Sequence, residues 1–296
     1  MSGGGYAHLD PLAAEALQLP QAERIRFACT RHFVPYTRAD EALQQLTDLL
    51  DYPRALRMPN LLVVGESGNG KSTLLEHFRR LHPVQPGGGV SAPVIGFDMP
   101  TDPTETRFWS EALNAMHVAH RVTDPVQAKK NQVHSVLSYV GCRMLVIDEF
   151  HNVLHGNARQ QRQFLALLKN LSNELRLPII AAGTRDTIRT LHTDPQLSSR
   201  FEAFGLPRWK LDREFLRLLA SFERLLPLEE PSELAGREMA NRLHIMSQGT
   251  IGGVARALER AAVLAIRRGA RRIDLPLLSR INAVKLSDYG KQAEAL

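Results

Sequence analysis

Eight consecutive residues have the types and spacing of a phosphate-binding loop. They are Gly65, Glu66, Ser67, Gly68, Asn69, Gly70, Lys71 and Ser72, and they fit the pattern G-x-x-x-x-G-K-[ST] at every specified position. Glycines let backbone N–H groups approach phosphate oxygens, a lysine reaches the β- and γ-phosphates, and a serine hydroxyl ligates the bridging Mg²⁺. We therefore expect this loop, with the adjoining Thr73, to bind a nucleoside triphosphate and Mg²⁺.

Two adjacent carboxylates, Asp148 and Glu149, close an apolar run that begins at Met144. Such a run is typical of a parallel strand buried on both faces, which delivers its last side chains to the carboxyl edge of the sheet. This is a Walker B motif in form: Asp148 would hold the magnesium shell, and Glu149 would polarise the attacking water. The glutamate favours ATP hydrolysis over transfer to a second substrate, and no Asn-Lys-x-Asp segment indicates a GTPase.

Thr184 ends another apolar run, which starts at Pro178. A hydroxyl at this place would position the lytic water or sense the γ-phosphate. A threonine that ends a strand for turn reasons is an equally good interpretation.

Strands and helices alternate around these motifs. Buried strands are predicted over 60–64, 94–98, 144–148 and 178–184, a further strand over 202–209, and helices over 40–50, 73–80 and 159–174. This pattern predicts an α/β fold in which helices flank a parallel sheet. We divide the chain into an N-terminal extension (1–55), an α/β core (56–210) with an exposed loop at 85–90, and a small helical lid with a tail (211–296).

Taken in order, the motifs resemble those of the AAA+ ATPases, in the branch that contains initiators and clamp loaders. The segment Leu197-Ser198-Ser199-Arg200-Phe201 is similar to one whose arginine projects into the ATP site of a neighbouring subunit. The resemblance implies Arg200 as this arginine finger, with Arg185 as its competitor and an ordinary surface arginine as the remaining alternative. It also implies that Arg256, on a lid helix, reaches the phosphates, with a solvated arginine on a helix face as the alternative. Residues near His32 to Thr37, among them His32 and Tyr36, are implied to contact the adenine.

Flanking residues narrow the resemblance to the TniB family, transposition ATPases related to TnsC. They are Arg31–Thr37 and the approach to the phosphate loop, Pro53–Leu62. The family implies ATP-dependent self-association into a ring or helical filament on double-stranded DNA, without sequence preference, and partnership with a transposase and a target-selection adaptor. A replication-initiator or helicase-loader ATPase would share the motifs, and a nucleotide-gated DNA-binding scaffold with little turnover is a third interpretation.

The resemblance places DNA on the segment between the second strand and the Walker B strand. Candidate contacts there are Thr104, Arg107, Arg121, Thr123, Lys129 and Lys130. Hydroxyls and cations suit contacts to phosphates, which position a protein without reading bases. Ordinary solvation of loops is the alternative for each of them.

Composition agrees with this interpretation. The net charge of +6 favours a polyanionic partner. No run approaches the roughly 20 apolar residues of a membrane span, and no apolar signal core is present. We expect a cytoplasmic, nucleoid-associated bacterial protein with reduced, buried thiols at Cys29 and Cys142. A zinc site at His151 and His155 is a weaker idea than their solvation.

Overall fold

Five parallel strands form the central sheet of this computed structural model, which describes residues 6–30, 32–86, 90–192 and 199–281. In chain order the strands are β1 (Asn60–Gly65), β2 (Gln85–Pro86), β3 (Val90–Ser91), β4 (Val94–Asp98), β5 (Met144–Asp148), β6 (Ile179–Gly183) and β7 (Phe201–Leu206). The spatial order of the central sheet is β4-β5-β6-β1-β7, and β2 pairs with β3 in a separate antiparallel ribbon. The predicted parallel α/β fold is confirmed.

Helices connect the strands and continue beyond them. They are α1 (Pro11–Leu17), α2 (Gln21–Cys29), α3 (Thr37–Leu50), α4 (Lys71–Leu81), α5 (Glu105–Ala115), α6 (Val126–Tyr139), α7 (Ala158–Leu175), α8 (Arg185–His192), α9 (Arg213–Glu223), α10 (Arg237–Ser247), α11 (Ile251–Arg268) and α12 (Leu275–Ser279). A 3₁₀ helix, Phe150–His155, joins β5 to α7. Because every strand of the central sheet is parallel, all their carboxyl ends meet at one edge, which we call the carboxyl edge.

The chain divides into two compact units. The α/β unit is Thr37–Pro207, and the helical unit combines Met1–Tyr36 with Arg208–Leu296. The three-part division from the sequence stays a prediction, and the structure groups the segments differently. Residues before Tyr36 join the helical unit because α2 packs against α11, whereas α3 packs against α4.

Apolar periodicity builds the core of each unit. In the α/β unit the strands are buried on both faces, and α7 contributes Phe164, Leu165, Leu168 and Leu171 at helical spacing. In the helical unit α11 is buried along Val254, Leu258, Ala261, Ala262 and Ala265. Both stripes hold their helices rigidly, so the polar residues on the opposite faces have defined positions.

At the end of the edge strand β7, two backbone carbonyls accept hydrogen bonds from side chains. Arg38 Nε donates to the Gly205 carbonyl at 3.0 Å, and the Asn69 side chain donates to the Leu206 carbonyl at 2.9 Å. The Arg38 guanidinium carbon also lies 3.7 Å from the centroid of the Phe204 ring, a cation–π contact. Side chains therefore cover the outer end of this strand.

Two expectations about smaller features change. Part of the loop predicted at 85–90 forms β2 and the start of β3, and residues 87–89 lie outside the described residues. Cys142 is buried, which raises the pKa of its thiol to about 11, but Cys29 is exposed, so that half of the thiol prediction is wrong. Within the described ranges, no cluster of three or more His, Cys, Asp or Glu side chains could hold a metal ion, so zinc gains no support.

Helices in the described part of the chain are all too short or too polar to cross a membrane.

Candidate nucleotide-binding site

The phosphate loop connects the carboxyl end of β1 to the first turn of α4. Gly68 and Gly70 have φ values of 78° and 85°, in the left-handed region that glycine enters without steric cost. A Cβ on Gly65 would come within 3.0 Å of the Leu206 carbonyl oxygen. These positions require glycine, and the resulting turn presents the backbone N–H groups that begin α4, where anions bind well.

Lys71 lies in the loop as its principal cation. Its Nζ donates to the carbonyls of Gly65 at 2.9 Å and Glu66 at 3.1 Å. Burial lowers the pKa of Lys71, while Asp148, Glu149 and Glu66 act to raise it. The ammonium is thus held near its expected phosphate position by weak neutral acceptors, which a triphosphate can replace.

Asn69 has a structural role that the sequence motif does not specify. Its side chain is only 3% exposed, and its Nδ2 bonds to the Leu206 carbonyl on β7. This bond fixes the loop to the neighbouring strand. No sequence signal marks it, because Asn69 occupies a variable position of the motif.

The Walker B acids lie at the same edge of the sheet. Asp148 ends β5, which β6 separates from β1, and its Oδ1 accepts a hydrogen bond from the Glu149 backbone N–H at 2.7 Å. Glu149 has a φ of 51°, an uncommon conformation for a residue with a side chain. Its Oε2 lies 3.2 Å from His151 Nδ1, at an angle that makes no hydrogen bond.

A third acid, Asp98, joins this edge and was not among the predicted site residues. It ends β4 and is the register partner of Asp148 on β5. Burial raises the pKa of Asp98, and the charges of Asp148 and Glu111 raise it further, whereas Arg79 lowers it. The signal was present in the sequence, since Asp98 closes an apolar strand just as Asp148 does.

The donor set fits a magnesium ion. Ser72 is exposed in the first turn of α4, and Asp148 is partly exposed. Burial raises the pKa of Asp98 and the charge of Asp148 raises it further, a repulsion that a divalent cation beside these carboxylates would relieve. Oxygen donors of this kind are the ligands that Mg²⁺ prefers.

Thr184 follows the carboxyl end of β6, between the two Walker strands, so it lies at the predicted edge. Its carbonyl accepts from the Thr187 backbone N–H at 3.1 Å. Thr187 is a further hydroxyl here: it is 1% exposed, and its Oγ1 has no partner among the described residues. The sensor role of Thr184 stays a prediction.

The two candidate arginine fingers lie at opposite edges of the sheet. Arg185 begins α8, next to the carboxyl end of β6. Arg200 precedes β7 at the amino edge, where its carbonyl accepts from the Asn60 backbone N–H at 2.8 Å and its Nη1 donates to Asn173 Oδ1 at 2.7 Å. Arg200 therefore lies a full strand length from the phosphate loop of its own chain. Leu197 and Ser198 of its motif lie outside the described residues.

The other predicted nucleotide contacts belong to the helical unit. The Tyr36 ring packs edge-on against Trp209 with centroids 5.0 Å apart, and His32 packs against Phe27 at 4.9 Å. Arg256 is exposed on α11. Their adenine and phosphate roles stay predictions.

The predicted DNA contacts have different environments. Thr104 caps α5, Arg107 pairs with Asp102 at 3.0 Å, and Arg121 and Thr123 are exposed. Lys130 pairs with Glu174 at 3.1 Å.

Lys129 is a correction to the predicted DNA surface. It is 1% exposed, and its Nζ donates to Ser110 Oγ at 3.1 Å and to the Val122 carbonyl at 3.0 Å. A buried ammonium in this position cannot contact a DNA phosphate, so the prediction for this residue is wrong.

Comparison with solved structures defines the class of this fold. ORC2 of Aeropyrum pernix, solved with ADPNP and ADP, has a TM-score of 0.62 and 16% identity, covering 86% of this chain and 70% of that one. ORC1 of the same organism, solved with DNA, has a TM-score of 0.59 and 16% identity over 91% and 71%. The Thermotoga maritima RuvB branch migration motor has a TM-score of 0.51 and 14% identity over 86% and 72%. The chain has an AAA+ ATPase fold.

The family follows from the sequence match. The model of the bacterial TniB protein matches residues 24–211, more than half of the chain, so this protein belongs to the TniB family. Among curated proteins, none matches the sequence.

Proposed function

We propose that this protein is an ATP-dependent regulator of DNA transposition that oligomerises on target DNA and recruits or activates a transposase. Membership of the TniB family supports a role in DNA transposition. One observation carries the mechanism: Lys71, Asp148 and Glu149 meet at the carboxyl edge, whereas Arg200 lies at the amino edge. A site that lacks this arginine in its own chain is suited to completion by a neighbouring subunit.

Within one subunit, the loop residues would bind and orient the triphosphate. Lys71 would exchange its two carbonyl acceptors for β- and γ-phosphate oxygens, a stronger, charge-assisted interaction. Ser72 and Asp148 would hold Mg²⁺, which would neutralise negative charge on the phosphates. Glu149 would accept a proton from the attacking water.

Between subunits, Arg200 would approach the γ-phosphate bound by the next chain. Such an arginine is worth about 10³ to 10⁵ in hydrolysis rate in the GTPases. A contact between two different surfaces of identical subunits generates a ring or a helical filament. ATP would therefore stabilise the assembly on double-stranded DNA, and hydrolysis, modulated by DNA and partners, would release it.

The proposal is tested by DNA binding as a function of nucleotide. Anisotropy of a fluorescein-labelled duplex should rise with the protein in the presence of ATP or a non-hydrolysable analogue, and not with ADP. Lys71→Ala should weaken this binding by about 100-fold or more, since a charged phosphate contact is lost. Lys210→Ala, which removes an exposed lysine elsewhere, is the matched control. Retention of ATP-dependent DNA binding by Lys71→Ala would reject the proposal.

A further inference from the structure

One face of α7 carries arginines that the nucleotide site does not use. The helix buries its apolar stripe in the core of the α/β unit. On the opposite side, at helical spacing, Arg159, Arg162, Ala166 and Asn170 are exposed. We call these four residues the α7 face.

The positive charge of this face is uncompensated. Within the described ranges, neither Arg159 nor Arg162 makes an ion pair or a side-chain hydrogen bond. The helix has one acid, Glu174, whose carboxylate pairs with Lys130 at 3.1 Å and lies 3.5 Å from His134. No carboxylate of α7 is left to neutralise the two guanidinium groups.

The α7 face continues into a groove that reaches α5. This groove has a volume of about 440 Å³ and is lined by Thr104 and Glu105 on one side and by Gln160, Gln163 and Asn170 on the other. The Glu105 carboxylate already accepts a bond from the Trp109 indole at 3.1 Å. A hydroxyl and three amides therefore supply neutral hydrogen-bond donors in this groove, which shares Ala166 and Asn170 with the α7 face.

We propose that the α7 face binds the phosphate backbone of DNA. This inference rests on the proposed function and names its DNA-contacting surface. The two arginines lie three residues apart, about 4.5 Å along the helix axis, and present charge without a pattern of groups that could read bases. The 3₁₀ helix Phe150–His155 connects Glu149 to α7 along the chain, so bound DNA would contact the helix that follows this connection.

The test is the salt dependence of DNA binding by Arg159→Ala/Arg162→Ala. In the presence of an ATP analogue, its affinity for a labelled duplex should fall on the order of tenfold at about 0.1 M salt, because two phosphate contacts are lost. The slope of log K against log salt should become shallower by about 2 for the same reason. Arg159→Lys/Arg162→Lys should restore most of the slope, since a phosphate accepts a lysine as a point charge.

Controls show whether a loss of DNA binding in the α7 variant comes from this surface or from another cause. Arg267→Ala/Arg268→Ala removes the same charge from α11, and an equal loss of slope in that variant would overturn the proposal in favour of net charge. A wild-type slope in the α7 variant would also overturn it. So would a parallel loss of ATP-dependent self-association without DNA, which would assign the face to a neighbouring subunit. Single Arg→Gln variants replace the double variant should it unfold. Failure of the wild-type protein to bind DNA would instead reject the proposed function itself.

Discussion

The two edges of the central sheet are built from different chemistry. At the carboxyl edge, the charges of Asp148 and Glu149 act on Lys71, and burial together with the charge of Asp148 raises the pKa of Asp98. At the amino edge, the Arg200 guanidinium donates to the neutral side-chain oxygen of Asn173, and the Asn60 backbone N–H donates to the Arg200 carbonyl. The carboxyl edge is thus suited to receive a cation with its phosphates. The other fixes an arginine while leaving its charge available to an anion.

The largest expected effect is on the rate of ATP hydrolysis when Arg200, at the amino edge, is replaced. Arg200→Ala should retain ATP binding but lose about 10³-fold in the hydrolysis rate of the assembled protein, since the charge stabilising the γ-phosphate is removed. An equal mixture of the Arg200→Ala and Glu149→Gln proteins should regain activity. In a random assembly of the two, about a quarter of the interfaces combine a subunit with an intact Glu149 and a neighbour with an intact Arg200. Phosphate release from the mixture is the measurement.

Arg185→Ala is the matched control for this experiment. Arg185 lies at the carboxyl edge of its own chain. If Arg185 acts there within one subunit, its variant cannot be complemented by Glu149→Gln. Complementation by Arg185→Ala and none by Arg200→Ala would reverse the assignment of the two edges.

The next effect tests how rigidly the amino edge is held. Asn60 is 2% exposed, and its Oδ1 accepts the Ile179 backbone N–H at 2.8 Å. Asn60→Ala should lower the free energy of unfolding by about 2 kcal/mol, because a buried N–H loses its partner. Urea denaturation measures this, with Asn114→Ala, at an exposed asparagine of α5, as the control expected near zero. A stability equal to wild type would show that the amide contacts at this edge are dispensable.

The smallest effect concerns the acids of the carboxyl edge. Burial raises the folded pKa of Asp98 above its ordinary value of 3.8, so ionisation of this group costs stability at higher pH. Asp98→Asn should therefore raise the melting temperature of the metal-free protein at neutral pH. The gain should disappear as the pH falls below the unfolded pKa, where both proteins are uncharged at this position. Melting curves between about pH 3 and 8 test the sign, and a gain that persists at the acidic end would contradict it.

Local patterns predicted most of the framework. The apolar runs that end in Asp98, Asp148 and Gly183 are strands because consecutive apolar residues favour a parallel sheet that is buried on both faces. Their predicted bounds came close to those observed. The glycine positions of the phosphate loop were equally predictable, since only glycine fits their backbone angles.

Features that depend on register or on tertiary burial were harder to predict. The place of Asp98 at the end of an apolar run was visible in the sequence, but its register with Asp148 on β5 was not. Lys129 had an overlooked signal: it shares a helical face with Val133 and Leu137, both buried, so periodicity predicts burial where charge alone predicts exposure. The bond between Asn69 and Leu206 joins residues far apart in the chain and left no local trace.

Arg38 has a consequence for solubility. A parallel edge strand such as β7 offers unpaired backbone groups on which another chain can add a strand, a common route to aggregation. The Arg38 side chain occupies the Gly205 carbonyl and covers the Phe204 ring, so a foreign strand would have to displace a charged group and a cation–π contact. In a protein that we propose to self-associate under nucleotide control, Arg38 would block an association route through β7 that ATP could not reverse.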